Sequence, residues 1–370
     1  MKTNILLYLF FFIGLASQAQ KVTVPMKASH WQVAGKDYKF TNYKGKPSLY
    51  LKNSGAGVKG VKFLNGIIEF DIAFSQKRQF SGVLFRLQED NQNGEEFYLR
   101  PHQDGNPDAN QYTPRFNGLA SWQLYYGKGH ANKFKYKYDQ WMHVKIIVAD
   151  DQAEFYIEDM DKPLFRAYEL KYKVKAGSLG FYSSLQGAYF ANLCYQKIAK
   201  PTLKGKPLER PKPDKGTITQ WQVSSVFKET TIENQYRLKN DFKSSLKWNN
   251  LKAEFSGTAN LASISKINRK QKLNTVFARV VIESDKAQIK KLDFGYSDRV
   301  RVYCNDQLMY SGNNGFRTRD YRYLGTIGYF DTVYLPLKKG KNEIWMAVSE
   351  NFGGWGIKAK LNNPDGVKVE

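Results

Sequence analysis

Apolar and polar residues alternate with a period of two along many short segments of this chain. The segment 66–74 is an example, because from Ile68 onward every second residue is Ile or Phe. Such a pattern predicts a strand with one buried face. It recurs in 83–88, 96–100, 144–157, 177–182, 187–195, 274–283, 290–296, 299–310, 330–337 and 342–349. Since no long amphipathic helix is evident after the N-terminal segment, the chain is predicted to be all-β.

Two polar pairs and one glycine-containing loop are expected to be hairpin turns. They are Asp150-Asp151, Asn305-Asp306 and 338–341, and each lies between two predicted strands. Trp31 and Trp221 lie near the start of each half and are predicted to be core residues.

The segment 199–216 is rich in proline and lysine and poor in apolar residues. Proline at this density is incompatible with a sheet and favours extended, solvated backbone. We therefore predict a Pro/Lys-rich linker here, between two β-sandwich (jelly-roll) domains at 20–198 and 217–370. Both are of ordinary domain size.

The N-terminus has the pattern of a signal peptide over 1–19. A positively charged start precedes an apolar stretch at 5–15 that is too short to span a bilayer, and small residues follow at Ser17 and Ala19. We predict cleavage after Ala19 and export to the periplasm or the medium, with no transmembrane segment left. A short N-terminal anchor is the alternative.

The composition of the chain restricts its partners. Its 370 residues include 57 Lys and Arg against 34 Asp and Glu, a formal net charge of +23. For an exported chain this charge indicates a solvated Lys-rich surface rather than a nucleic-acid site, with a specific site for acidic polysaccharide or an anionic envelope as the alternative. Only Cys194 and Cys304 are present, which excludes a disulfide scaffold. We expect two free thiols, with one interdomain disulfide as the alternative.

Several segments of the first half resemble a known superfamily. They are 63–71, 97–102, 107–114, 117–118, 121–125 and 188–192. They are similar to concanavalin A-like, laminin-G-like jelly rolls, and more closely to the bacterial branch of 3-keto-disaccharide hydrolase-like domains. The resemblance covers 59–198 and implies a β-sandwich of a kind that includes lectins, glycosidases and inert modules.

The second half carries a shorter resemblance, at 300–306, 335–344 and 353–356. These segments are similar to the galactose-binding-like jelly-roll domains that accompany many glycosidases. The usual Asn-Gly of their hairpin is Asn305-Asp306 here, and Asp tolerates the same positive φ. The resemblance implies an accessory module.

The main candidate binding site combines two predicted strands with the stretch that follows them. If the strands are neighbours, their off-core positions bring together Arg86, Glu96, Tyr98, Arg100 and His102. The stretch 107–125, expected to be a long loop, adds Asp108, Gln111, Tyr112, Trp122 and Gln123. Aromatic rings, amides, carboxylates and arginines are groups that bind sugars. The alternative is a self-packed loop with Tyr112 and Trp122 as its own core.

The second half has its own candidates, Glu350, Asn351 and Trp355, around a Gly-Gly step. Such a step exposes backbone and an aromatic ring, as in a sugar-contact loop. The alternative is that Trp355 fills the end of the sandwich.

A catalytic carboxylate pair is not evident. Laminarinase-type glycosidases on the concanavalin-like fold have the pattern Glu-x-Asp-x-x-Glu. Glu69 and Asp71 match its start, but Phe74 stands at the third position. Glu96 is therefore the candidate acid/base, with His102 as a second, for a glycoside or 3-keto-glycoside hydrolase or lyase.

Asp104, Asn106 and Asp108 recur at every second position, which resembles an oxygen-ligand loop. The laminin-G-like resemblance implies one Ca²⁺ there, although such turns are also common without metal; no other cofactor is expected. The sequence favours an exported carbohydrate-recognition protein that binds an oligo- or polysaccharide, acidic or neutral, through the first sandwich. A hydrolase using the same cleft and a non-catalytic envelope or adhesion module are the alternatives.

Overall fold

In this computed structural model the described residues are 20–206, 209–210, 212–320 and 324–370, so the predicted signal peptide lies outside them. Nearly all regular structure is β-strand, which confirms the all-β prediction. The strands of the first half are β1 (Lys21–Thr23), β2 (Trp31–Ala34), β3 (Asp37–Tyr43), β4 (Lys46–Lys52), β5 (Ser54–Val58), β6 (Gly66–Phe74), β7 (Phe80–Leu87), β8 (Gly94–Leu99), β9 (Asn110–Phe116), β10 (Leu119–Ala120), β11 (Ala131–Asn132), β12 (Met142–Ala149), β13 (Gln152–Ile157), β14 (Phe165–Ala167), β15 (Ser178–Ser184) and β16 (Ala188–Lys197).

The second half continues the pattern. Its strands are β17 (Gln220–Ser224), β18 (Phe227–Lys228), β19 (Trp248–Lys252), β20 (Ala259–Asn260), β21 (Asn274–Ser284), β22 (Gln288–Ser297), β23 (Arg299–Cys304), β24 (Gln307–Asn313), β25 (Asp331–Leu337), β26 (Gly340–Glu350), β27 (Gly356–Leu361) and β28 (Val367–Val369). The helix α1 (Asn240–Ser245) has six residues. Short 3₁₀ helices lie at Ala28–His30, Pro101–Gln103, Glu229–Ile232 and Leu261–Ser263. Within the described ranges, no helix is long and apolar enough to cross a membrane.

Antiparallel pairing arranges these strands in four sheets. The first sheet has the order β14-β13-β12-β6-β16-β4-β3, with β1 beside β16, and the second has the order β10-β9-β8-β7-β15-β5-β2, with β11 beside β9. The third sheet has the order β19-β17-β21-β26-β23-β24, with β18 and β28 beside β21, and the fourth has the order β20-β27-β22-β25. The first two sheets enclose one core and the last two enclose another, which makes two β-sandwiches.

The two cores are rich in aromatic rings. In the first, Phe181 stacks on Phe190 at 4.4 Å between ring centroids and on Trp31 at 5.4 Å. In the second, Trp221 and Trp355 are buried together. Burying each such side chain stabilises the fold by about 1.5–3 kcal/mol. Trp31 and Trp221 are therefore core residues, as predicted.

Two of the three predicted hairpin turns are confirmed by the pairing of their flanking strands. β12 pairs with β13 across residues 150–151, and β23 pairs with β24 across residues 305–306. Asn305 and Asp306 have φ of 48° and 71°, the conformation that a two-residue hairpin turn requires. The prediction for 338–341 is wrong, because β25 pairs with β22 while β26 pairs with β21 and β23, so this loop connects the fourth sheet to the third. Cys194 and Cys304 are both buried free thiols, as expected.

The prediction of a long loop at 107–125 is wrong, because the stretch contains β9 and β10. Pro114 and the polar residues around it made β9 difficult to predict, since proline is rarely found in central strands. Within β9, Tyr112 points into the first core and is fully buried. The opposite face of the same strand is also buried, so no alternation of apolar and polar residues marks it.

Candidate functional site

The outer face of β8 and β9 carries a closed network of polar side chains. Tyr98 and Gln111 lie opposite each other in the register, and Tyr98 Oη donates to Gln111 Oε1 at 2.9 Å. Arg100 Nη2 donates to Tyr98 Oη at 2.6 Å and also to Gln111 Oε1. Arg100 Nη1 donates to the carbonyl oxygen of Asp108 at 2.8 Å and lies 3.8 Å from its carboxylate. The structure thus brings Tyr98, Arg100, Asp108 and Gln111 together.

This network holds the segment after β10 against the sheet. Gln111 Nε2 donates to the carbonyl oxygen of Trp122 at 2.9 Å and to that of Tyr125. Both polar atoms of the Gln111 side chain are therefore used within the protein. Gln111 positions the segment that carries Trp122, rather than offering a free amide to a ligand.

Arg86 lies away from this network, contrary to the grouping expected from strand parity. Its φ of 51° turns the side chain off the outer face. Arg86 Nε donates to the carbonyl oxygen of Leu64 at 2.8 Å, and Nη2 donates to Asn65 Oδ1 at 2.9 Å. Arg86 is fully buried and joins β7 of the second sheet to two loops of the first sheet, the one before β6 and the one between β12 and β13.

The two candidate acid/base residues have different surroundings. Glu96 is buried, with Oε2 accepting from Arg115 Nη1 at 2.9 Å and Oε1 accepting from the Tyr182 hydroxyl. Both oxygens are thus occupied by neighbouring side chains. The ring of His102 lies 5.2 Å from that of Phe80, and burial lowers the pKa of His102.

Tyr112 is a core residue with a buried carboxyl partner. Its hydroxyl donates to Glu95 Oε2 at 2.8 Å and accepts from the backbone amide of Lys171 at 2.6 Å. Burial raises the pKa of Glu95 to about 8, although the hydrogen bond from Tyr112 opposes the shift. This contact ties the sheet to the segment after β14.

The candidate calcium ligands make internal hydrogen bonds. Asp104 Oδ1 accepts from the backbone amide of Tyr136 at 2.6 Å, and Asn106 Nδ2 donates to Gln103 Oε1 at 2.7 Å. In the part of the chain that the structure describes, no three His, Cys, Asp or Glu residues are grouped as a metal site would need. The Ca²⁺ site at Asp104, Asn106 and Asp108 stays a prediction.

Gln123 enters the second sandwich and is fully buried there. Its backbone amide donates to the carbonyl oxygen of Gly353 at 3.0 Å, and its Nε2 donates to that of Leu324 at 2.7 Å. Its Oε1 accepts from Ser297 Oγ at 2.9 Å. The segment predicted as a sugar-binding loop of the first sandwich is therefore fixed to the second.

Trp122 forms an aromatic cluster with two residues of the second sandwich. Its ring centroid lies 6.1 Å from that of Phe316 and 5.8 Å from that of Phe352, and the two phenylalanine rings are 6.0 Å apart. We call these three residues the junction cluster. Phe352 is 54% exposed, and the Arg317 guanidinium lies 5.0 Å from the Phe316 ring. The cluster therefore presents aromatic surface and a cation to solvent where the two sandwiches meet.

The Gly-Gly step of the second half makes this contact feasible. Gly353 has a φ of +102°, and a Cβ there would lie 2.5 Å from Gln123 Oε1 and 2.8 Å from the Trp122 ring. Only a residue without a side chain fits. Two segments that the sequence marked separately, 121–125 and 350–355, are thus packed on each other.

A buried carboxyl pair shapes the second of these segments. Asp298 Oδ2 accepts from the backbone amides of Asn351 at 2.8 Å and Phe352 at 2.6 Å. Burial raises the pKa of Asp298 to about 6. Burial and the Asp298 charge together raise the pKa of Glu350 well above its usual range. The neutral form of Glu350 is thus favoured beside the backbone that presents Phe352.

The remaining candidates of the second half have contrasting places. Trp355 is fully buried in the second core, where its Nε1 donates to the carbonyl oxygen of Val348 at 2.9 Å, so it fills the sandwich as the alternative held. Asn351 is exposed beside Phe352. Phe316 and Phe352 are not among the site residues predicted from the sequence. The Gly-Gly step next to Phe352 was a sequence feature that could have indicated this residue, whereas no sequence feature indicated Phe316.

The junction continues beyond the aromatic cluster. Asn117 Nδ2 donates to the carbonyl oxygen of Ala262 at 2.7 Å. Lys171 Nζ, almost fully buried, lies 2.7 Å from Glu254 Oε2. Because these contacts join residues of both sandwiches, the junction cluster sits on a fixed interface.

No protein-family model matches this chain, and no curated protein is significantly similar to it. Among solved structures, a carbohydrate-binding module from Bacillus subtilis is similar at 17% identity, over 45% of this chain and 96% of that one, with a TM-score of 0.36. A Bacillus licheniformis beta-glucanase is similar at 10% identity, over 48% and 98% of the chains, with a TM-score of 0.34. A Bacillus subtilis protein of unknown function with a galectin-like fold has 10% identity, over 48% and 94%, and a TM-score of 0.37.

Proposed function

We propose that this chain is an exported carbohydrate-binding protein whose sugar site is the junction cluster, built from both sandwiches. The observation that carries the proposal is the meeting of Trp122 with Phe316 and Phe352 at an exposed surface. The apolar face of a sugar ring stacks on an aromatic ring, and its hydroxyls pair with amide and charged groups. Asn351 and Arg317 are exposed beside the rings and supply those polar groups.

The rigidity of the site favours binding. The Gln123 hydrogen bonds hold Trp122 in place, and Asp298 holds the backbone of Asn351 and Phe352. A site that is already ordered loses little conformational entropy when a ligand binds. The resemblance of 59–198 to jelly rolls that include lectins and glycosidases, as well as inert modules, supports a saccharide as the ligand.

A hydrolase remains the alternative function, and a non-catalytic envelope or adhesion module is a further one. For hydrolysis through Glu96, the ion pair with Arg115 and the hydrogen bond from Tyr182 would first have to open. Binding needs no such rearrangement. We therefore place recognition of an oligo- or polysaccharide ahead of its cleavage.

The proposal is tested by screening the mature chain on a glycan array and titrating the best glycan. Phe352→Ala removes a half-exposed ring, so we expect glycan affinity to fall about fivefold or more with little change in melting temperature. Tyr236→Ala is the matched control, because Tyr236 is 72% exposed and its carbonyl oxygen accepts from the backbone amide of Leu308 near the start of β24, outside the junction cluster. The proposal is wrong if no glycan binds, or if Phe352→Ala and Tyr236→Ala bind equally well. Assay of released sugar from the same glycans identifies a hydrolase.

A further inference from the structure

A basic groove of about 460 Å³ lies at the β14 edge of the first sandwich. Its lining includes one acidic residue, Asp161, and five cationic ones, Lys128, Lys162, Arg166, Lys204 and Lys206. None of these residues belongs to the junction cluster.

Most of the positive charge in this groove is not neutralised. Asp161 pairs with Lys204 at 3.2 Å, but its side chain is 97% exposed, so solvent weakens the pair. Lys128, Lys162 and Lys206 are exposed, and no ion pair is recorded for them among the described residues. A concave surface lined by charge of one sign concentrates ions of the opposite sign.

A neighbouring lysine responds to this charge. Lys145 Nζ donates to the carbonyl oxygen of Met160, close to the groove. Burial is the main cause that lowers the pKa of Lys145, and the positive charge of Lys204 lowers it further. Three carboxylates act on this pKa in the opposite direction: Glu69, Asp161 and Glu154.

The wall of the groove is held in place by buried hydrogen bonds. Glu154 is fully buried and accepts from the backbone amides of Lys204 at 2.9 Å and Gly205 at 2.6 Å. Arg166 Nη1 donates to the carbonyl oxygen of Gly205 at 2.7 Å. The Glu154 charge is thus satisfied inside the protein, and the segment after β16 is fixed with its lysines outward.

We propose that this groove binds the anionic groups, carboxylates or sulfate esters, of an acidic polysaccharide. This deepens the proposed function and rests on it for the saccharide part. Lys128 belongs to the same connection between β10 and β11 as Trp122, so the groove and the junction cluster share one segment. Because single contacts with exposed lysines are weak, a polymer that repeats its charges is a better ligand than a free ion.

The test uses three polymers with one backbone: dextran, carboxymethyl dextran and dextran sulfate. Their affinities for the mature chain are measured by affinity electrophoresis at low and at physiological salt. The groove variant is Lys162→Gln/Lys206→Gln. The control is Lys27→Gln/Lys36→Gln, which removes the same charge from exposed positions; Lys36 lies between β2 and β3, at the edge opposite β14.

We expect the chain to bind at least one anionic polymer and neutral dextran much more weakly. The groove variant should lose about fivefold or more in affinity for the anionic polymer, and the control less than about twofold. Comparing the carboxymethyl and sulfate polymers identifies which anionic group is preferred. The proposal is overturned if neither anionic polymer binds, if both variants lose affinity equally, or if double-stranded DNA binds as tightly with the same loss in the groove variant.

Failure of the groove is distinguishable from failure of the junction site. Phe352→Ala should weaken the best array glycan and leave the effect of the groove variant on dextran sulfate unchanged. If the groove variant loses affinity while no neutral glycan binds, the proposed groove is supported and the proposed sugar site at the junction cluster is wrong. If binding of neutral glycans requires Phe352 and both lysine variants bind the anionic polymer equally well, the proposed sugar site is supported and the proposed groove is wrong.

Discussion

The side-chain amide of Gln123 lies inside the second sandwich, where its Oε1 accepts a hydrogen bond from Ser297 Oγ at 2.9 Å. The two residues are 174 positions apart in the chain. Both are fully buried, so neither can exchange its partner for water. This bond fixes the segment that presents Trp122 to the end of β22. The Gln123 backbone amide, which donates to the carbonyl oxygen of Gly353, fixes the same segment to the loop that presents Phe352.

Gln123→Ala should therefore destabilise the protein by about 2–3 kcal/mol, because it leaves the Leu324 carbonyl oxygen unsatisfied in a buried site and leaves Ser297 Oγ only its long contact of 3.4 Å with Asp298 Oδ1. Chemical denaturation measures the free energy of unfolding. Gln186→Ala, at an exposed position, is the matched control and should change it by less than about 0.5 kcal/mol. Equal effects of the two variants would show that the Gln123 bonds do not stabilise the junction.

Glu96→Gln should lower stability by about 1–3 kcal/mol, since it leaves the partly buried Arg115 without its carboxylate. Glu89→Gln at an exposed position is the control and should have little effect. Unfolding curves of both variants check this. A Glu96→Gln variant of unchanged stability that has lost the cleavage of a glycan would instead support the catalytic role.

An ion network on the outer face of the first sheet gives stability a pH dependence. His143 Nδ1 lies 2.7 Å from Asp71 Oδ1, and Nε2 lies 3.6 Å from Glu69 Oε1. Hydrogen bonds to Asp71 and Glu69 raise the pKa of His143 to about 9. The hydrogen bond to His143 lowers the pKa of Glu69 to about 2. Burial raises the pKa of Asp71, but hydrogen bonds from His143 and Lys46 outweigh burial and lower this pKa to about 2.

The direction of each pKa shift determines the pH range in which that group stabilises the fold. The His143 contribution is complete below its unfolded pKa of about 6.5 and is lost as pH rises through about 9. The carboxylate contributions are complete above about 4.5 and are lost as pH falls through about 2. His143→Gln should cost about 1 kcal/mol at pH 6, a modest value because the side chain is partly exposed, and less at pH 10. A difference from the parent protein that does not shrink with rising pH would contradict this account.

The sequence predicted what depends on local alternation, and it missed what depends on distant contacts. β6 was predicted with its observed bounds, because one of its faces packs on the first core. β9 was missed, because Gln111 and Thr113 are buried on the face where polar residues normally meet solvent. The candidate segments at 121–125 and 350–355 were each marked, but their contact was not, since it depends on how the two sandwiches pack.

The most direct test is a crystal structure of the mature chain with the oligosaccharide that binds best on the array. The account predicts a sugar ring within about 4–5 Å of the Trp122 or Phe352 ring, at stacking distance, with polar contacts to residues of both sandwiches. A sugar bound only on the outer face of the second sheet, with the junction cluster free, would contradict it.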